Sequence, residues 1–204
     1  MNQIRNIIFD LGGVLLNLDV NKSLKAFRDL GFSNIEEYFR IGHAASYFKE
    51  YEVGAISDQE FVAAIKAELS SAVSEEQIIE AWNAMLLDFP EHRLNWLKAL
   101  PANYRIFLFS NTNGIHLESF KASFEKRYAF NMDELFEQAY YSHIVMIRKP
   151  DIASYLKVVD DHGLIKEETL FIDDALVNVE AAISAGIKGF HLTGGMDVTE
   201  VIDN

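Results

Sequence analysis

The run Ile7-Ile8-Phe9-Asp10-Leu11-Gly12-Gly13-Val14-Leu15 constrains this chain more than any other segment. Three apolar residues lead straight into a carboxylate, and two glycines follow at once. The pattern reads as a short buried strand that ends in Asp10. In an open α/β sheet, ligands bind just beyond the carboxyl ends of the strands. A carboxylate at that point is poorly placed for packing and well placed for nucleophilic attack or for a metal. The glycines let the backbone turn tightly and bring N–H groups near an anion, which makes Gly13 a candidate for substrate contact.

Three more apolar runs, Tyr104–Phe109, Leu170–Ile172 and Gly189–Leu192, join Ile4–Phe9 as expected strands. Helical patterns separate them, so the chain predicts βαβ units and a doubly wound parallel α/β sheet. The first connection is different, because Leu16 to about Phe89 contains no convincing strand. It shows helical periodicity instead: Leu24, Phe27 and Leu30 share one face, and Phe61, Ala64, Ile65 and Leu69 another. Ser57-Asp58-Gln59-Glu60 and Ser74-Glu75-Glu76-Gln77 both read as capped helix starts. A connection this long exceeds any ordinary crossover. The expected organisation is therefore an α/β core of residues 1–15 and 90–204, with an α-helical cap domain of residues 16–89 inserted after the first strand. A helix over Pro90–Leu100 returns the chain to the core, with Pro90 in the first turn, where its missing N–H costs nothing.

Composition removes several function classes. The 204 residues suffice for one large domain or one domain with an insert, and half of them are apolar, which excludes a disordered chain. The absence of Cys rules out disulfides, thiolate zinc sites and a cysteine nucleophile. No apolar run reaches the roughly 20 residues of a membrane span. Met1–Asn6 is too short and polar for a signal peptide, so a cytoplasmic location and no membrane partner are expected. With 31 acids against 18 bases the net charge is −13. No basic face is available to neutralise phosphates, so nucleic acid is not an expected partner. The six His residues are scattered without metal-ligand spacing.

Three constellations repeat the logic of Asp10. The second strand ends Phe109-Ser110-Asn111-Thr112-Asn113-Gly114, with a helix following from Ile115. Ser110 and neighbouring backbone N–H groups then form an anion site at a helix N-terminus; simple capping by Thr112 or Asn113 is the alternative. In Met146-Ile147-Arg148-Lys149-Pro150-Asp151, Pro150 stiffens the turn behind Lys149, which is either aimed at a ligand or a solvated surface lysine. The third strand ends in Asp173-Asp174. Two adjacent carboxylates repel unless a cation lies between them, and hard oxygen donors suit Mg²⁺. One of the pair could instead cap the helix that begins near Ala175. The order strand–Asp, strand–Ser, loop–Lys, strand–Asp-Asp assembles a phosphoryl-transfer site.

With these motifs in this order, and a helical insert after the first, the chain resembles the phosphatase branch of the haloacid dehalogenase superfamily over nearly all of its length. Gly54-Ala55-Ile56-Ser57-Asp58-Gln59-Glu60-Phe61 is similar to a cap segment of many members. The likeness is greatest to bacterial phosphatases acting on α-D-glucose 1-phosphate and related sugar phosphates. The resemblance implies that Asp10 is the nucleophile and forms an aspartyl phosphate. It implies that Ser110 and the N–H of Asn111 hold phosphate oxygens, and that Lys149 neutralises charge between phosphate and nucleophile. It also implies a Mg²⁺ held by Asp10, the carbonyl of Gly12 and Asp174, with Asp173 bound directly or through water. Asn178 would orient the loop.

Gly12 departs from the pattern, since most phosphatases of the superfamily carry a second Asp there. General acid–base help is worth about 10²–10⁴-fold. Three readings follow. The first is an active phosphatase of a small phosphorylated metabolite, favouring anomeric sugar, aryl or acyl phosphates whose leaving oxygen needs little protonation. The second is a metal-independent dehalogenase in which Asp10 attacks carbon. The third is a catalytically weak phosphate-binding protein with the cap as its partner surface. Asp19 is a candidate substitute acid, or else a capping or solvated residue. In the cap, His43, Tyr47, Tyr51 and Glu52 offer hydrogen-bonding groups to a sugar, and Trp82 or Met85 could wall the pocket; alternatively the aromatics pack the cap core. A monomer or a homodimer is expected.

Overall fold

The structure, a computed structural model, describes residues 3–39 and 46–202. Five parallel strands form one sheet in the order β3-β2-β1-β4-β5: β1 Asn6–Phe9, β2 Arg105–Ser110, β3 Gln138–Tyr141, β4 Thr169–Asp173 and β5 Lys188–His191. Four of these match the apolar runs of the sequence. The fifth, β3, is an edge strand that pairs only with β2, and its Gln138-Ala139-Tyr140-Tyr141 lacks an apolar run. Ten helices accompany the sheet among the described residues: α1 Val20–Asp29, α2 Ile35–Phe39, α3 Ser46–Glu52, α4 Asp58–Ala67, α5 Glu75–Asn83, α6 Glu91–Ala99, α7 Gly114–Tyr128, α8 Ser142–Val145, α9 Ile152–His162 and α10 Leu176–Ser184.

Alternation along the strands covers both faces of the sheet. Ile7, Phe9, Ile106 and Leu108 pack with Leu94, Leu97, Phe120 and Phe124 from α6 and α7. Ile8, Phe107, Phe109 and Phe171 pack with Tyr155, Val158 and Ala182 from α9 and α10. Every side chain of β1 is buried, because the strand lies in the middle of the sheet with helices on both sides. The sheet is therefore doubly wound, as the sequence predicts.

Helices α1–α5 fill the long first connection. Both expected helix starts carry complete capping boxes, Ser57 with Glu60 and Ser74 with Gln77. Their apolar faces meet in a cluster around Phe27, Phe61, Ile65 and Trp82, to which the core contributes Ile115. The segments entering and leaving this helical unit run antiparallel: Asn17 N–H donates to Asp88 O, Leu87 N–H to Asn17 O, and Asp19 N–H to Met85 O. Arg93 holds the junction, donating from Nη1 to Asn17 Oδ1 at 3.0 Å and from Nε to Asp197 at 2.9 Å.

Candidate active site

The carboxyl ends of β1, β2 and β4 and the loop before α9 converge on one cavity of about 390 Å³ beneath the helical unit. β1 supplies Asp10, whose N–H donates to Ile172 O of β4, so the ladder itself fixes the backbone. β2 supplies Ser110, which is 3 % exposed, followed by Asn111. β4 ends in Asp173 and continues to Asp174. Lys149 arrives from the loop before α9 and is 1 % exposed. The solvated-lysine alternative therefore does not describe it.

Lys149 is the hub of the site. Its Nζ donates to Asp10 Oδ1 at 2.6 Å and to Asp173 Oδ2 at 2.7 Å. Burial pulls its ammonium down, but the two carboxylates outweigh burial and hold it above its ordinary value. Asn111 fixes the lysine backbone from both sides: its Nδ2 donates to Lys149 O, and its Oδ1 accepts from Lys149 N–H, each at 2.9 Å. Asp173 is wholly buried and fully committed. Its Oδ1 accepts from Ala175 N–H at 2.8 Å, and Asn178 Nδ2 donates to both of its oxygens.

Charge at this point does not balance. Ligand atoms of Asp10, Asp173 and Asp174 all lie within 4.8 Å of one another, and one ammonium faces three carboxylates. With all three ionised, two negative charges remain. Burial pushes the Asp10 carboxyl up to about 7, against the pull of Lys149 and with help from Asp173 and Asp174. Asp174, also raised by burial and then by Asp173, is the more exposed acid of the pair. An oxygen-only donor set with a deficit of two charges fits a divalent hard cation such as Mg²⁺. Asp10 and Asp174 have oxygens available for it, and Gly12 lines the same cavity with its backbone.

Two expected substrate contacts need correction. Gly13 does not line the cavity, and its N–H donates to Leu16 O at 2.9 Å, so it is not a free anion donor. It is glycine for another reason. Its φ is +75°, and a Cβ there would strike Asp174 Oδ2. Tyr51 is not a cavity residue either. Its hydroxyl donates to Asp58 at 2.6 Å and accepts from Ile115 N–H at 3.0 Å, and its ring stacks on Phe61 at 4.1 Å. It joins the cap to the N-terminus of α7. Asp19 caps α1 through Asn21 N–H and lies off the cavity wall. His43 falls outside the described residues.

The alternative reading of Ser110–Asn113 as plain capping holds for one residue. Asn113 Oδ1 accepts from His116 N–H at 3.0 Å and caps α7. The same oxygen accepts from Trp82 Nε1 at 3.2 Å, and His116 Nε2 lies 3.1 Å from Trp82 O, so the cap also binds α5 to the core. Met85 lines the cavity, and Trp82 lines it while also packing in the helical core, so both readings describe Trp82. Gly12 offers no side chain, and a Cβ at that position would lie 2.6 Å from Leu18 Cδ1. Arg148 lines the cavity beside Lys149. The sequence reading gave it no role, although its place before a site lysine on a stiffened turn was a usable signal.

Comparison with known proteins agrees with this geometry. The family model described as haloacid dehalogenase-like hydrolase matches residues 4–186. A haloacid dehalogenase family enzyme of Bacteroides thetaiotaomicron superposes with a TM-score of 0.91 at 35 % identity, covering all of both chains. That enzyme has been crystallised with magnesium and inorganic phosphate, in a form that is 34 % identical over 98 % of this chain and all of that one, at a TM-score of 0.86. The D-ribitol-5-phosphate phosphatase of Bacteroides thetaiotaomicron is 26 % identical over 194 residues, 95 % of this chain and 94 % of that protein. The sesquiterpene phosphatase astK of Aspergillus oryzae is 28 % identical over 93 % of this chain and 90 % of its own length. The chain belongs to the haloacid dehalogenase-like hydrolases.

Proposed function

We propose that the chain is a Mg²⁺-dependent phosphatase of small phosphorylated metabolites that works through an aspartyl phosphate on Asp10. The observation that carries this reading is the buried Lys149 bridge between Asp10 and Asp173, with Asp174 beside it and two negative charges left over. A dehalogenase attacking carbon needs no divalent cation, and that charge deficit would repel a carboxylate substrate. The phosphatase relatives and the magnesium–phosphate complex of the structural neighbour support the same choice.

In this reading Lys149 holds Asp10 with one oxygen aimed into the cavity. Ser110 donates its hydroxyl to a phosphate oxygen, and the Asn111 N–H donates to another. Asp10 forms a bond to phosphorus as the bond to the ester oxygen breaks; the oxygen leaves as an alkoxide and takes its proton from water, since position 12 supplies no acid. Water then attacks the acyl phosphate, releasing inorganic phosphate and restoring Asp10. Asp10, Asp174 and the Gly12 carbonyl would hold Mg²⁺, which when bound would neutralise charge at the transferring phosphoryl group. Asp173, its oxygens already taken, positions Lys149 and Asn178.

The substrate class is a sugar or polyol phosphate, supported by the name of the ribitol phosphatase relative and by the polar groups along part of the cavity. A preference for anomeric or other good leaving groups rests on Gly12 alone. The relative's named substrate is a primary ester, so that likeness supports the polyhydroxy class and not the anomeric one. The test is phosphate release from sugar, polyol and aryl phosphates with Mg²⁺ and with EDTA. Metal-dependent release is expected, greatest per site from aryl and anomeric esters. A protein that binds Mg²⁺ and phosphate yet releases none would favour the binding-protein reading that Gly12 also fits.

A further inference from the structure

The loop that delivers Lys149 carries a second cation whose place the phosphoryl chemistry does not explain. Arg148 is half-buried on the wall of the same cavity, one residue before the lysine that grips the nucleophile. Its Nη2 donates to Glu52 Oε2 at 2.9 Å, an ion pair that crosses from the core loop to the last residue of α3 in the cap. Its Nε is buried and has no hydrogen-bond partner among the described residues. Nε is closed off from the cavity, so what Arg148 presents to a ligand is the exposed quarter of its side chain, beside the Glu52 pair.

The neighbours narrow what that ligand offers. Glu52 also lines the cavity and supplies an acceptor, its carboxyl held above the usual range by burial despite Arg148, Lys149 and Lys49 nearby. Donor and acceptor thus stand side by side, close to charge balance within the pair. A second anionic group on the substrate would meet the Glu52 carboxylate, and a plain alkyl chain would cover this charged pair without replacing the water it displaces. A hydroxyl both accepts and donates, and two on adjacent carbons can address Arg148 and Glu52 together. Ser142 holds this corner in place, its hydroxyl donating to Glu52 O at 2.6 Å and accepting from Thr112 N–H at 3.0 Å.

We propose that Arg148, set by Glu52 across the cap–core boundary, is a specificity-determining residue that reads hydroxyl groups on the leaving alcohol and so selects phosphorylated polyols over alkyl phosphates. This rests on the phosphatase reading above.

The test compares a pentitol 5-phosphate with n-pentyl phosphate, both primary esters; the more acidic polyol alcohol leaves more readily in wild type and variants alike, so that difference cancels in the change of the ratio on substitution. The full chain with Mg²⁺ is assayed as wild type, Arg148→Ala and Glu52→Gln. A hydrogen bond from a charged group corresponds to a preference of about 10–100-fold. The wild type is expected to favour the pentitol ester in kcat/KM by at least that factor, with the share owed to Arg148 expressed chiefly in KM. Arg148→Ala should lower the ratio by about 10–100-fold, and Glu52→Gln, which keeps the shape of the corner, should lower it by less. A ratio unchanged in folded variants, or a wild type that prefers the pentyl ester, overturns the proposal while leaving the phosphatase reading intact. Release from neither ester nor from p-nitrophenyl phosphate would instead overturn the phosphatase reading and this inference with it.

Discussion

In the proposed mechanism Asp10 carries two demands at once: it must stay ionised to attack, and it is buried against two other acids. Lys149, bonded to it at 2.6 Å, is the group that meets both. Asp10→Asn keeps the size of the side chain and removes the nucleophile, so turnover should fall below detection with the fold intact by circular dichroism. Gly12 makes a separate test of the leaving-group argument. An Asp there would press on Leu18 Cδ1 at 2.6 Å, the far end of a side chain that is 37 % exposed and free to turn away. Gly12→Asp should therefore fold, and should raise kcat/KM on alkyl phosphates by about 10²-fold, the lower range of general acid help. Alkyl turnover that stays flat in a variant that still binds Mg²⁺ would remove the leaving-group account. At Gly13 a side chain would collide with the Asp174 carboxylate and adopt a strained positive φ. Gly13→Ala is expected to weaken Mg²⁺ affinity at least tenfold by titration calorimetry, whereas unchanged affinity would show that Asp174 is not a ligand.

Helix α7 shows how an element can serve cap and core together. Its first turn is capped by Asn113, which also binds Trp82 of α5, and His116 on the same turn stacks on the Trp82 ring at 4.7 Å. Burial pushes the His116 imidazole down to about 4, with the Trp82 carbonyl pulling weakly the other way. Above pH ~6.5 the ring is neutral in both the folded and unfolded chains and contributes no pH dependence. Below that pH the unfolded chain takes up the proton first, so stability falls as pH drops from ~6.5 toward ~4 and then levels off. The loss by pH 5 is about 2 kcal/mol. Asp10, whose raised carboxyl takes up its proton over the same interval, contributes in the opposite sense, so the test is the difference between proteins: in urea unfolding at pH 7 and pH 5 the wild type should lose about 2 kcal/mol more than His116→Gln, and equal changes would mean that the ring is not held neutral. At this scale the sequence was legible where side chains declare themselves. The Ser57 and Ser74 capping boxes and the four apolar strands are local signals. Strand β3 is not, since Gln138–Tyr141 is ordered by pairing with β2 and carries no pattern of its own. Nor could spacing reveal that the hydroxyl of Tyr51 is occupied by Asp58 and Ile115, or that the N–H of Gly13 belongs to Leu16.

Across the whole molecule, the parallel sheet gathers chemistry that the chain keeps far apart. Asp10 and Lys149 are 139 positions apart, and both reach one cavity because β1, β2 and β4 end on the same edge of the sheet. The helical unit closes that cavity from above, joined to the core by Tyr51 on Ile115, Trp82 on Asn113 and Glu52 on Arg148. The order of motifs along the sequence was enough to expect this assembly; which cap groups face the ligand required the fold. The most direct check is an acid quench during turnover of p-nitrophenyl phosphate, followed by proteolysis and mass spectrometry. With Mg²⁺, one phosphoryl group is predicted on the peptide carrying Asp10, and none with EDTA. Steady phosphate release with that peptide never modified would contradict an aspartyl phosphate at Asp10, and with it the central claim.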